Sequence, residues 1–175
     1  MLDEDLKKSV HYSCRLDYNL YQFLSTDAKY KNVSMNNMLN QVAREYVFKK
    51  DFEKIGSTLI CKDALRGVFE MAEDKKLLDL GTRLGSGNAI GYVGILYHDV
   101  TKDTALKFLD LWGSRFSGYE HRNHGELHRF SIPHDINEKY SMFTKEFITS
   151  FVESAINEPV KVQSNHRTVT FSLAV

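Results

Sequence analysis

The sequence predicts an α+β chain in two parts: a strand-and-two-helix module within residues 1–54, then a separate α/β domain over residues 58–175. Three observations predict it. Residues Val10 to Leu16 read VHYSCRL, in which Tyr12, Cys14 and Leu16 alternate with His11, Ser13 and Arg15 at the period of a half-buried strand. Met35, Met38, Leu39, Val42, Ala43, Tyr46 and Val47 hold helical spacing without a miss. The charged stretch from Asp51 to Ser57, with Gly56, then separates this module from a denser apolar pattern that runs to Val175.

Asp17 is placed to cap the first helix, whose stripe is Leu20, Phe23, Leu24 and Ala28 and whose end falls near Tyr30. Lys31-Asn32-Val33 is a tight link in which Asn32 can adopt a left-handed conformation, and Ser34 caps the second helix, which runs to about Lys50. Beyond the linker, Leu59 to Leu84 reads as helix in one or two pieces, broken by Gly81, Gly85 and Gly87. The apolar run Ile90–Tyr97 is read as a strand, and Asp103 is read as the cap of a helix carrying Ala105, Leu106, Leu109 and Trp112. YEHRNHGELHRFSI has the pattern of a hairpin that turns around His124-Gly125. A long amphipathic helix through Tyr140, Phe143, Phe147, Phe151 and Ala155 follows Pro133, and alternating residues around Val160–Val162 and Val169–Leu173 close the chain with strands. From Ile90 onward the order is strand, helix, strand, strand, helix, strand, plus one terminal strand: the split βαβ, ferredoxin-like order.

The composition excludes several classes. No apolar run reaches the ~20 residues that span a bilayer, and MLDEDLKKSV is acidic and then basic, so a cytoplasmic protein without membrane partners is expected. Cys14 and Cys61 lack metal-ribbon spacing and are expected to be reduced. There is no GxGxxG after a strand, no GxxxxGK[ST], no GxSxG and no HExxH, which argues against an enzyme. The formal net charge is zero, so any nucleic-acid contact must come from a local patch. The first third is only modestly basic, with nine Lys and Arg against eight Asp and Glu over residues 1–54.

The succession SCRLDYNLYQFL and NVSMNNMLNQVAREYV, over roughly residues 8–50, resembles the ribbon-helix-helix family of the methionine and Arc repressors. Asp17 stands where that family commonly has proline, and Asn32 where it commonly has glycine. The resemblance implies a sequence-specific DNA-binding transcriptional regulator, a repressor in the family's usual mode, working as a homodimer or, if the C-terminal sheets also pair, a tetramer. Two strands would form an antiparallel ribbon in the major groove of double-stranded DNA, where His11, Ser13 and Arg15 would face base edges. The N-terminus of the second helix, at Ser34, Met35 and Asn36, would meet a phosphate. Two other functions fit the same sequence: an antitoxin-like or scaffold dimer that binds protein, and a metal- or ligand-binding protein that uses its N-terminal helices only to dimerise.

The C-terminal domain offers a histidine cluster. With the turn at His124-Gly125, His121 is expected directly across from His128, on one face with Tyr119, Phe130 and Ile132. Facing imidazoles can chelate Ni²⁺, Cu²⁺ or Zn²⁺, with His134 or a partner residue completing the set. The same register sets Glu120 against Arg129 as a cross-strand ion pair. The overall plan is similar to that of the nickel-responsive repressors, whose His and Cys ligand pattern this sequence lacks.

Overall fold

A computed structural model describes residues 10–174. The chain divides into two compact units, with the boundary between Val47 and Phe48.

In the first unit, residues 10–17 carry no helix or strand of their own chain. Helix α1 spans Tyr18–Tyr30 and starts where the Asp17 carboxylate accepts a hydrogen bond from the Asn19 N–H. Asn32 turns the chain at φ +53°, and the Ser34 hydroxyl accepts from the Asn37 N–H to open α2, Met35–Lys54. These caps and the left-handed Asn32 lie where the sequence placed them. The core is small: Leu24, Ala28 and Met38 are buried, with Leu16, Val33, Met35 and Leu39 packed partly over them.

The second unit takes in the last turns of α2 from Phe48 and continues with α3, Lys62–Met71, and α4, Asp74–Arg83. A π-helical turn over Leu84–Ala89 then leads directly into α5, Ile90–Tyr97, so the expected strand at Ile90–Tyr97 is a helix. The glycines do not break the run because two of them are contact points. A Cβ on Gly81 would stand 2.9 Å from the Phe143 carbonyl oxygen, and one on Gly85 would stand 2.4 Å from that of Phe147. Glycine lets this helix approach the backbone of a neighbour, and the burial gained offsets its low helix propensity. Helix α6, Lys102–Ser114, is capped by Thr101 in a reciprocal box with Thr104, so Asp103 lies in its first turn.

Strands β1, Glu120–His124, and β2, Leu127–Pro133, form the hairpin; α7, Glu138–Ile156, follows, then β3, Lys161–Ser164, and β4, Thr168–Ala174. The sheet is antiparallel throughout, in the order β1-β2-β4-β3. The α+β class therefore holds, but helix, two strands, helix and two strands replace the ferredoxin-like order, which needed a first strand at Ile90–Tyr97. Phe130, Ile132, Val169, Phe171 and Leu173 point from the sheet into one core with Phe147, Ile148, Phe151 and Val152 of α7 and with Phe108, Leu109 and Trp112 of α6. The opposite sheet face carries polar side chains.

His134, just past β2, is fully buried and locks the far end of this core. Its Nδ1 accepts from the Ile136 N–H at 3.1 Å, so Nε2 carries the proton and donates to the Ser141 hydroxyl at 2.7 Å. Ser141 in turn donates to the Asn165 carbonyl at 2.5 Å. Burial pushes the His134 pKa down to about 4, which keeps the ring neutral.

Candidate functional site

In the first unit, His11, Ser13 and Arg15 are all exposed on the extended segment before α1. Their alternation partners do not find cover within the unit: Val10 and Tyr12 are 87% and 85% exposed, and only Leu16 is partly buried. At the start of α2, Ser34 and Asn36 are exposed while Met35 is half-buried against the small core. The predicted DNA-facing residues thus occupy two places, an unpaired extended segment and a helix N-terminus. Cys14, Leu16, Tyr18, Tyr21, Met35 and Leu39 line an open, mostly apolar hollow of about 390 Å³ beside them.

In the second unit, the hairpin closes with His124 opposite Leu127 around Gly125-Glu126, with Gly125 at φ +68°. This turn lies one residue later than the sequence suggested. Each cross-strand pairing therefore shifts by two: His121 sits opposite Phe130, and Asn123 sits opposite His128. An even shift preserves the face, so the two histidines remain neighbours, now on the diagonal. The expected Glu120–Arg129 pair is lost by the same shift. Arg129 lies opposite Arg122, and Glu120 bonds Arg122 within its own strand at 2.7 Å.

The histidines belong to a chain of hydrogen bonds. Both oxygens of Asp110, on α6, lie within 3.0 Å of His121 Nδ1, and His121 Nε2 lies 2.9 Å from His128 Nδ1. The Tyr119 hydroxyl donates to Asp110 at 2.6 Å. Local structure brings these groups together. The link from α6 to β1 is short, Gly118 turns it at φ +83°, and the Tyr119 ring lies where a Cβ on Gly113 would stand 2.4 Å from it. His121 also stacks on Phe130 at 4.1 Å, which in turn stacks on Phe171 at 4.6 Å, so the imidazole plane is held by the core.

The carboxylate decides the tautomers. With both rings neutral, Asp110 accepts the proton on His121 Nδ1, His121 Nε2 is left as an acceptor, and His128 donates to it from Nδ1. The His128 Nε2 lone pair is then the outer end of the relay. Burial, and next the adjoining His121, push the His128 pKa down, against the pull of Asp110. The Tyr119 hydroxyl is pushed up by burial and by the neighbouring Asp110 charge, so it stays a donor.

A 2.9 Å separation also suits two nitrogens chelating one metal. Nitrogens about 2.0–2.1 Å from a metal at a right angle would put the ring centres about 4.5 Å apart. An in-line N–H···N bond puts them about 5.2 Å apart. The centres are 5.1 Å apart, as in the hydrogen bond. His134 does not join the pair, because both its nitrogens are engaged in the core. Among the described residues, no three His, Cys, Asp or Glu side chains are grouped to hold a metal ion. Sequence reasoning found the two histidines and the face of Tyr119 but missed Asp110, which sits on another element between the buried residues Leu109 and Trp112. A carboxylate inside that apolar stripe was the available signal.

His98 caps the end of α5 at φ +70°, and His166 is exposed, 3.3 Å from Glu138. Cys14 and Cys61 are exposed and free. No helix among the described residues is long and apolar enough to cross a membrane. Comparison of the chain with protein-family models, with curated proteins and with solved structures finds no match.

Proposed function

We propose that the chain is a dimeric, sequence-specific DNA-binding transcriptional regulator of the ribbon-helix-helix type, with residues 10–16 as the groove-reading strand. The observation that carries this reading is the incompleteness of the first unit. Its core is three residues, while Phe23 is 70%, Val42 41% and Val47 59% exposed, in addition to Val10 and Tyr12. On α2 only Met35, Met38 and Leu39 join that core, and Val42 and Val47, further along the same stripe, stay exposed. Burying such a side chain is worth about 1.5–3 kcal/mol, so covering these five yields on the order of ten kcal/mol before the cost of association.

A second copy is the occupant that satisfies both needs at once. Pairing residues 10–16 with the same segment of a two-fold mate would satisfy its ladder groups and turn Tyr12, Cys14 and Leu16 towards a shared four-helix core. His11, Ser13 and Arg15 would then form the outer face of a ribbon that fits the major groove. Arg15 there offers bidentate donors to guanine, and Ser34 with the first N–H groups of α2 suits a phosphate.

Selection of bound duplexes from a randomised DNA pool, with light scattering on the same protein, tests the reading. A two-fold symmetric enriched site and a mass of two or four chains are expected. A monomer at micromolar concentration, or a pool that stays random, would overturn it.

A further inference from the structure

The outer face of the sheet in the second unit is uncovered, and its register arranges charge in an unusual way. Arg122 of β1 lies opposite Arg129 of β2, Arg129 opposite Ser172 of β4, and Ser172 opposite Lys161 of β3. One transverse row across all four strands therefore reads Arg, Arg, Ser, Lys. At about 4.8 Å per strand it is roughly 14 Å long. The hydroxyls of Ser131 and Thr170 stand in the adjacent row, and all these residues line one open basin of about 380 Å³.

Like charges directly opposite in a ladder are destabilising. Glu120 answers only one of the three cations, through its 2.7 Å bond to Arg122. Arg129 and Lys161 have no ion-pair partner among the described residues. The row thus holds concentrated positive charge with short hydroxyl donors beside it, in a chain whose net charge is zero.

We propose that this sheet face binds a small phosphate-bearing anion, with Arg129 and Lys161 as the principal contacts and Arg122, Ser131, Thr170 and Ser172 completing the donor set. Charge complementarity selects the class: guanidinium groups offer paired N–H donors to phosphate oxygens, and the ammonium adds a point charge. Two other occupants fit less well. A second copy of the sheet would place cationic rows against each other across a two-fold axis, without the apolar inner faces that packed sheets share. A single nucleic-acid strand needs aromatic platforms for its bases, and the two outward rows of the basin carry none. The size suits a small molecule, since ligand sites begin near ~300 Å³. The site does not rest on the DNA-binding reading, which concerns the other unit.

Titration of the full chain with inorganic pyrophosphate, followed by calorimetry and by backbone amide shifts, tests it. Saturable binding is expected, with shifts centred on Arg129, Ser131, Thr170 and Ser172. The Arg129→Gln/Lys161→Gln pair should weaken binding at least tenfold, while Lys145→Gln, a change at an exposed lysine of α7, should not. Both substitutions are on the surface, and an unchanged melting temperature without ligand establishes that the variants fold. No saturable binding, or equal affinity in the double variant, would overturn the proposal. So would a double variant that loses duplex DNA, or changes its oligomeric mass, while holding pyrophosphate as before.

Discussion

The two units of this chain bury apolar surface on different scales. In the second unit, helices and sheet enclose one continuous core in which Val93, Ala105, Ile132, Ile148, Phe151, Val152 and Val169 have almost no exposure. In the first, two helices meet over Leu24, Ala28 and Met38, and larger side chains such as Tyr12 and Phe23 remain outside. A core of three residues cannot offset the chain entropy of some forty ordered residues, at roughly 1–2 kcal/mol each for the backbone alone. The second unit has a continuous core of its own, whereas the first leaves apolar side chains that a second copy would cover under the proposed reading.

The largest expected effect exploits that contrast directly. Phe151→Ala, deep in the second unit, should cost about 3–5 kcal/mol, and the loss should be the same at every protein concentration. Met38→Ala in the first unit should cost about 2–5 kcal/mol, but under the proposed dimeric reading, in which folding there is coupled to association, its melting temperature should rise with protein concentration. Calorimetry over a hundredfold range of concentration measures both. Concentration-independent melting of the first unit would break the comparison.

A slightly smaller effect comes from His134. Its folded pKa of about 4 lies below the ordinary value near 6.5, so the unfolded chain binds the extra proton first as the pH falls. The contribution of the neutral ring is therefore full above about pH 6.5 and is lost as the pH falls towards 4. Its size is at most about 3 kcal/mol. His134→Gln should flatten the stability profile of the second unit over that window, as denaturant titrations at several pH values would reveal. An unchanged slope would remove His134 from the account.

Local chemistry was legible in the sequence, and long-range packing was not. Asp17, Asn32 and Ser34 act on their own neighbours, so residue type and position were enough. The helix at Ile90–Tyr97 was missed because a short apolar run has no distinguishing period, and because Gly81 and Gly85 are explained only by the α7 backbone they touch. The histidines were placed on the correct face since the error in the turn was even in register. Asp110 escaped notice because its bond to His121 depends on the path from α6 into β1, which no periodicity encodes.

Arg15→Ala should reduce affinity for the selected DNA site by about 1–3 kcal/mol per copy and leave dimer mass and melting unchanged. A gel-shift titration at fixed salt reads the difference. A loss shared equally by unrelated duplexes would reassign Arg15 to phosphate contact, and the groove-reading face would then need other residues.

The smallest expected effect, about 1 kcal/mol of stability, is also the sharpest probe of the second unit's site. In the relay, Asp110 requires the proton of His121 on Nδ1, and His121 then requires that of His128 on Nδ1 as well. The ordinary preference of a free imidazole for the Nε2–H form is thus overridden twice, once by a carboxylate and once by a neighbouring ring. Asp110→Asn retains the shape but removes the charge and one acceptor oxygen, leaving Tyr119 and His121 to compete for a single amide oxygen. Imidazole ¹⁵N spectra above pH 7 should show both rings as Nδ1–H in the parent. In the variant, the His128 signal should revert towards Nε2–H while the fold persists. An Nε2–H form of His128 in the parent would mean that His128 does not donate to His121 along the 2.9 Å line, and the assigned direction of the relay would be wrong.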